Sequence, residues 1–151
     1  MGPVARKCDI CQVVRDTIEA HRHLINDKTV VEFSCLNQPC LAAERTLLGI
    51  VAANLIRNAF AYTEAGSVRI TVQDDRLTVA DTGLGIRDEE IGKVFQRHFK
   101  GSASTGSGIG LSLVKRICER YGWEIHIESV EGKGTSAQLI FTSSLTPPCT
   151  A

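Results

Sequence analysis

The segment over residues 67–86 reads SVRITVQDDRLTVADTGLGI and decides the fold class of this chain. Apolar and polar residues alternate over 67–72 and again over 76–79, which is the pattern of strands that bury one face. The acidic pair Asp74-Asp75 separates the two runs, so the segment predicts a β-hairpin. The next residues, Asp81-Thr-Gly-Leu-Gly-Ile86, are too rich in glycine to continue the strand and predict a turn at its end.

Helical and strand-like patterns flank this hairpin on both sides. The predicted elements are helices over 10–24, 43–62 and 111–121, and strands over 29–35, 123–128 and 135–141. Helices and strands in this arrangement predict an α+β fold, an α/β sandwich in which one mixed or antiparallel sheet is covered on one face by helices.

The composition narrows the class of protein. The chain has 151 residues, of which 43% are hydrophobic and 23% charged, as in ordinary globular domains. We expect one domain over residues 8–142, an N-terminal extension over 1–7 and a disordered tail over 143–151. The 17 Lys and Arg residues balance 17 Asp and Glu residues, so net charge gives no basis for binding nucleic acid. No apolar run approaches the roughly 18 residues that cross a bilayer, so we expect a cytoplasmic segment without membrane contact.

The six cysteines do not form a metal-site pattern. Cys8 and Cys11 make a C-x-x-C pair, but the spacing from Cys35 to Cys40 is too wide for a second zinc knuckle. The strand-then-helix start of a thioredoxin-like redox motif is also absent. We therefore predict that Cys8, Cys11 and Cys118 are small buried residues with free thiols, as is usual in a reducing compartment.

Asn54, Asn58 and Tyr62 recur at every fourth position of the predicted long helix, so their side chains share one stripe. Two asparagines among apolar residues need hydrogen-bond partners or a ligand, because a buried unpaired amide costs free energy. An amide oxygen is a hard neutral ligand that suits Mg²⁺. A pair of structural amides with internal partners explains the same spacing, so the pattern leaves both interpretations open.

The two glycine-rich segments have features of a ligand site. A carboxylate at a strand end, as at Asp81, can accept a hydrogen bond from an exocyclic amine, although an Asp-led turn explains it equally well. Gly83 and Gly85 would let the backbone approach a flat ring. Residues 106–111, GSGIGL, open a helix, and N–H groups at a helix N-terminus bind anions. This segment lacks the lysine of a Walker A loop and the strand that precedes a dinucleotide-binding fingerprint.

Taken in order, these motifs resemble those of the catalytic ATP-binding domain of sensor histidine kinases, a branch of the Bergerat-fold ATPases. The resemblance covers nearly the whole chain, about residues 10–141. The matching segments are NLIRNAFAY at 54–62 for the N box, DTGLGI at 81–86 for the G1 box, VFQRHF at 94–99 for the F box, GSGIGL at 106–111 for the G2 box and GKGT at 132–135 for the last glycine motif.

The resemblance implies a flexible ATP lid over about 100–107 and a role for each matching residue. It implies that Asp81 binds the adenine amino group, partly through water, and that Thr135 supports this contact. Asn58 would bind Mg²⁺, with Asn54 beside it near the phosphates and Tyr62 lining the nucleotide pocket. The further implied nucleotide contacts are Gly83, Gly85, Ile86, Gly106, Ser107, Gly108, Ile109, Gly110 and Leu111, with Arg97 and Lys100 as candidate phosphate contacts.

The chain departs from the family pattern in three respects. Ala61 stands where the family often has a basic residue before the N-box tyrosine, so one phosphate contact is lost or taken over by Arg57 or Lys100. His98 stands where an aromatic residue is usual. Nothing in the chain matches the family's H box, which contains the phosphoacceptor histidine.

The resemblance therefore implies a domain that binds Mg-ATP and donates its γ-phosphate to a histidine on a separate dimerisation domain, with a response regulator downstream. That histidine would belong to the same native chain or to a partner protomer, in the cytosolic part of a membrane-anchored sensor. Two alternatives are a stand-alone serine kinase of the anti-sigma type and a nucleotide-dependent interaction module. The serine kinases usually have a His-Gly-like end to the N box, where this chain has Ala61-Tyr62-Thr63.

Overall fold

The computed structural model describes residues 7–63, 65–83 and 109–146, with the side chains of all of these except 7, 62 and 109–111. The helices are α1 Ile10–His21, α2 Arg45–Tyr62 and α3 Ile109–Tyr121, with short 3-10 helices at Arg22–Leu24 and Thr142–Ser144. The strands are β1 Lys7–Asp9, β2 Thr29–Leu36, β3 Cys40–Ala42, β4 Gly66–Gln73, β5 Arg76–Asp81, β6 Glu124–Val130, β7 Gly134–Ile140 and β8 Leu145–Thr146. The helices and strands predicted from periodicity are confirmed, with ends that shift by up to three residues.

Local chemistry explains where the helices begin and end. Asp9 caps α1, because its side chain accepts hydrogen bonds from the backbone N–H groups of Cys11 and Gln12 at 3.0 and 3.3 Å. Gly122 ends α3 in the left-handed conformation with φ +74°, as predicted for a glycine after the last helical residue. Among the described residues, no helix is long and apolar enough to cross a membrane.

Five strands form the main sheet in the order β2-β4-β5-β7-β6. β2 and β4 are parallel and the other neighbours are antiparallel, so the predicted mixed sheet is confirmed. In β2, Val31 and Phe33 pack on the core while Val30 and Glu32 face solvent, as the alternation predicts. The helices cover one face of this sheet: α2 packs between α1 and α3 and contacts β5. This brings β5, the strand that ends at Asp81, against the helical layer.

A second, three-stranded antiparallel sheet joins β1, β3 and β8, and the sequence analysis did not predict it. β8 pairs with β3, placing Leu145 opposite Leu41 and Thr146 opposite Cys40. Residues 143–146, expected in a disordered tail, therefore lie in a 3-10 helix and a strand, and residues 147–151 lie outside the described part. Three- and two-residue strands are too short to show a period, which is why composition alone suggested a tail here.

The structure corrects the prediction for one cysteine pair. Cys11 and Cys35 form a disulfide between the first turn of α1 and the end of β2, and Cys40 is also disulfide-bonded. Cys11 and Cys35 are 24 positions apart in the sequence, so no local spacing rule could predict this pairing. Cys8 and Cys118 are free and buried, as predicted, and burial raises the pKa of the Cys118 thiol to about 11.

Candidate nucleotide-binding site

Asp81 is held at the end of β5 with one carboxylate oxygen fixed and the other available. Its Oδ1 accepts hydrogen bonds from the backbone N–H of Gly83 at 2.9 Å and of Thr135 at 3.3 Å. Its Oδ2 has no hydrogen-bond partner among the described residues. Burial raises the pKa of Asp81, and the two backbone donors partly oppose that rise. The arrangement leaves an acceptor of fixed direction for an exocyclic amine.

The start of β7 supports Asp81 from the neighbouring strand. Thr135 lies opposite Asp81 in the strand register, and its hydroxyl is 2.8 Å from that of Ser129 on β6. Ser129 also donates to the carbonyl of Gly134 at 3.0 Å. Gly134 has φ +138°, and a Cβ there would overlap the carbonyl oxygen of Asp81. The glycine of the last motif is therefore required for β7 to approach the Asp81 backbone.

Thr82 joins the turn after Asp81 to the start of β4 by two hydrogen bonds. Its backbone N–H donates to the carbonyl of Ser67 at 3.1 Å, and its Oγ1 accepts from the N–H of Ser67 at 3.0 Å. Gly66 lies against this hydroxyl so closely that a Cβ would overlap Oγ1. The roles of Thr82, Gly66 and Ser129 could not be predicted from the sequence, because these contacts join strands that are distant along the chain. The only local signal was the position of Gly66 directly before an alternating run.

The two asparagines of α2 have different environments. Asn54 is 6% exposed, and its Nδ2 donates to the carbonyl of Ile50 while its Oδ1 accepts from Arg57, both at 2.8 Å. Asn58 is partly exposed, and its amide makes no hydrogen bond among the described residues. The structural-amide interpretation therefore fits Asn54, and the ligand interpretation fits Asn58.

Several predicted site residues cannot be placed. The residues that lie outside the described part are Gly85, Ile86, Arg97, Lys100, Gly106, Ser107 and Gly108. For Tyr62 and for Ile109, Gly110 and Leu111 only the backbone is described. Tyr62 is the last residue of α2, and Ile109 begins α3, which agrees with a G2 box that opens a helix. The nucleotide contacts of all these residues stay predictions.

The described residues fit a purine nucleotide and a magnesium ion. Asp81 Oδ2 is an acceptor for an amino group, and the Asn58 amide oxygen is a ligand of the kind that Mg²⁺ accepts. No group of three His, Cys, Asp or Glu side chains in the described ranges could hold a metal by itself. Among the described residues Asn58 is the candidate ligand, and water and phosphate oxygens usually supply the other ligands of nucleotide-associated Mg²⁺.

Comparison with known proteins identifies the family. The family model described as "Histidine kinase-, DNA gyrase B-, and HSP90-like ATPase" matches residues 43–145. The chain belongs to this family. Within the family it matches the catalytic ATP-binding domain of sensor histidine kinases, as the sequence resemblance implied, and the next two comparisons support that assignment.

The curated relatives are sensor kinases. The sensor-like histidine kinase SenX3 of Mycobacterium tuberculosis is 29% identical over 143 residues, which cover 87% of this chain and 35% of that protein. The sensor protein QseC of Escherichia coli is 34% identical over 96 residues, which cover 62% of this chain and 21% of that protein. The chain thus spans about a third or less of the length of these relatives.

Solved structures match over almost the full length. The catalytic domain of the histidine kinase ThkA has a TM-score of 0.77 and 26% identity, and the match covers 94% of this chain and 96% of that one. The mycobacterial sensor histidine kinase MprB has a TM-score of 0.82 and 22% identity over 94% of this chain and 99% of that one, which shows the shared fold.

Proposed function

We propose that this chain is the part of a sensor histidine kinase that binds Mg-ATP and presents its γ-phosphoryl group to a histidine on a separate dimerisation domain. The observation that supports this most directly is Asp81, whose Oδ1 is held by two backbone N–H groups while no described residue donates a hydrogen bond to Oδ2. The α2 helix that bears Asn58 packs against the strand that ends at Asp81. An adenine acceptor and a magnesium ligand thus belong to neighbouring elements.

Transfer of a phosphoryl group depends mainly on positioning and on neutralising charge, so the chain's own residues need only hold the nucleotide. Asp81 Oδ2 accepts a hydrogen bond from the adenine amino group, and the N–H groups of Gly83 and Thr135 keep that carboxylate from rotating. Asn58 offers its amide oxygen to Mg²⁺, which when bound neutralises charge on the phosphate oxygens. The histidine nitrogen forms the new bond to the γ-phosphorus as the bond to ADP breaks, and its proton passes to a base on the dimerisation domain.

Because this domain only holds the nucleotide, the acceptor of the phosphoryl group must be supplied by a partner. The phosphoacceptor histidine belongs to the same native chain or to a partner protomer, and a response regulator accepts the phosphoryl group from it. We place the domain in the cytoplasm, where ATP is available, as the cytosolic part of a membrane-anchored sensor. The lid over about 100–107, Arg97 and Lys100 would complete the phosphate side of the site.

The test is phosphate transfer to a supplied acceptor. The chain is incubated with Mg²⁺, γ-labelled ATP and a helical hairpin from a related sensor kinase that contains the phosphoacceptor histidine. We expect acid-labile, base-stable label on the hairpin, and none on a hairpin in which that histidine is glutamine. The Asp81→Ala variant should transfer little, because it removes the adenine acceptor. ATP binding without any transfer to the histidine, or acid-stable phosphoserine on an anti-anti-sigma-like partner, would contradict the proposal.

A further inference from the structure

Arg57 is one of the arginines of the described residues that no described carboxylate neutralises, and it is set apart by its bond to a buried amide. Its guanidinium instead donates to Oδ1 of Asn54 at 2.8 Å, and its side chain is exposed. In the described part of the chain it has no acidic partner. The arginines that do pair with carboxylates are Arg22, Arg45, Arg69 and Arg76.

The helix holds this charge in a defined place. Arg57 is the only charged residue of α2 after Arg45. Its partner Asn54 is nearly fully buried and is itself anchored to the carbonyl of Ile50, so the amide offers a rigid acceptor. Arg57 directly precedes Asn58, whose amide has no hydrogen bond among the described residues. An uncompensated cation is thus fixed on the helix turn that also bears the candidate magnesium ligand.

We propose that Arg57 binds the phosphate oxygens of the nucleotide and that Asn54 is the positioning residue that directs it there. The inference rests on the proposed function of the same site. A guanidinium has five N–H donors, so the one used by Asn54 leaves a pair for a phosphate. The ligand class is a nucleoside di- or triphosphate, and an uncharged nucleoside gains nothing from this contact.

The test compares ligands that differ only in their phosphates. The dissociation constants of ATP, ADP and adenosine are measured by calorimetry with Mg²⁺ for the wild type, Arg57→Ala and the control Arg69→Ala. Arg69 is also exposed but pairs with Glu32 on the sheet. We expect Arg57→Ala to weaken ATP binding about 10- to 100-fold, in keeping with a charge-assisted hydrogen bond, and to leave adenosine unchanged. Arg69→Ala should bind all three ligands as the wild type does.

A second variant separates a phosphate contact from a structural role. Ala61 lies one turn after Arg57 on the same side of α2 and is exposed, so Arg57→Ala/Ala61→Lys returns a cation near the site. Recovery of ATP binding that exceeds the gain from Ala61→Lys alone supports the inference, because the two cations then serve the same phosphates, and an equal gain in both backgrounds would overturn it. An equal loss for adenosine and ATP in Arg57→Ala, or no loss for either, would overturn it. If the wild type itself fails to bind ATP, the proposed function fails as well.

Discussion

Replacing Cys35 by serine should cost the domain about 3.4 kcal/mol of unfolding free energy in oxidising buffer. The disulfide from Cys11 to Cys35 joins residues separated by 24 positions. Loop-closure entropy for a loop of that length is worth about 3.4 kcal/mol at 25 °C. The freed Cys11 is 1% exposed and remains a good buried apolar group, and the new serine lies at a partly exposed position. Neither residue adds a large term to the entropic loss.

Urea unfolding followed by the fluorescence of the single tryptophan measures this change. Trp123 is 5% exposed and donates to Ser144 at 2.7 Å, so it reports on packing away from the disulfide. We expect the midpoint to fall by about 1–3 M urea, given the usual dependence on denaturant. The thermal midpoint should fall by about 7–14 °C for a domain of this size. Cys118→Ala is the matched control, because it removes a buried thiol that has no disulfide.

Thiol titration in denaturant tests the same bond chemically. Cys35→Ser should expose one titratable thiol more than the wild type, since Cys11 is released. One thiol fewer than the wild type, or an unfolding midpoint equal to that of the wild type, would refute the reasoning. The same unfolding measurement in dithiothreitol, which reduces disulfides, reports the stability that the domain would retain in a reducing compartment. In Cys35→Ser, any further loss on reduction comes from the bond at Cys40.

Four other predictions test the site and its supports. Asp81→Asn keeps an acceptor for the backbone donors but turns an N–H₂ toward the adenine amine, so ATP binding should fall about 5- to 150-fold by calorimetry. Burial raises the pKa of Asp81, so the stability linked to its protonated form is lost as the pH rises. In urea unfolding, Asp81→Asn should therefore be more stable than the wild type at pH 8 and equal to it near pH 3. A stability difference that stays constant with pH would contradict this. Asn58→Ala should remove the tightening of ATP binding by Mg²⁺ in titrations with and without the ion, and an unfolded variant would favour a structural role. Gly134→Ala should prevent folding or lower the unfolding free energy by more than about 3 kcal/mol in thermal unfolding. Gly132→Ala should lower it by only about 1–2 kcal/mol, because no atom lies near its Cβ and only its φ of +80° is unfavourable. Equal losses for the two variants would contradict this.

Much of the fold was predictable because its signals are local. The alternation of 67–79 predicted β4 and β5, which the structure confirms as a hairpin. The apolar stripe before Gly122 predicted α3 and its end. The spacing of Asn54 and Asn58 placed both on one helix, and the order of the glycine motifs indicated the family that the comparisons identify.

The different hydrogen bonding of those two asparagines was not predictable from their spacing. Both are asparagines on the same stripe of α2. Only the structure shows that the Asn54 amide bonds to Arg57, whereas the Asn58 amide bonds to no described residue. The acceptor geometry of Asp81 likewise depends on Thr135, which is 54 residues away. The hydrophobic period of a helix or strand predicts which of its faces is buried. It does not predict which residue of another element will contact that face.

The sequence by itself determined the identity and order of the elements and the chemical types at the site, because periodicity, caps and turn residues act within a few positions. The tertiary structure alone decided the Cys11–Cys35 bond, the second sheet and the close approach of Gly134 to Asp81. Each of these joins segments that local chemistry leaves independent. They come together only when the helices pack on one face of the sheet and bring distant backbones within hydrogen-bond distance.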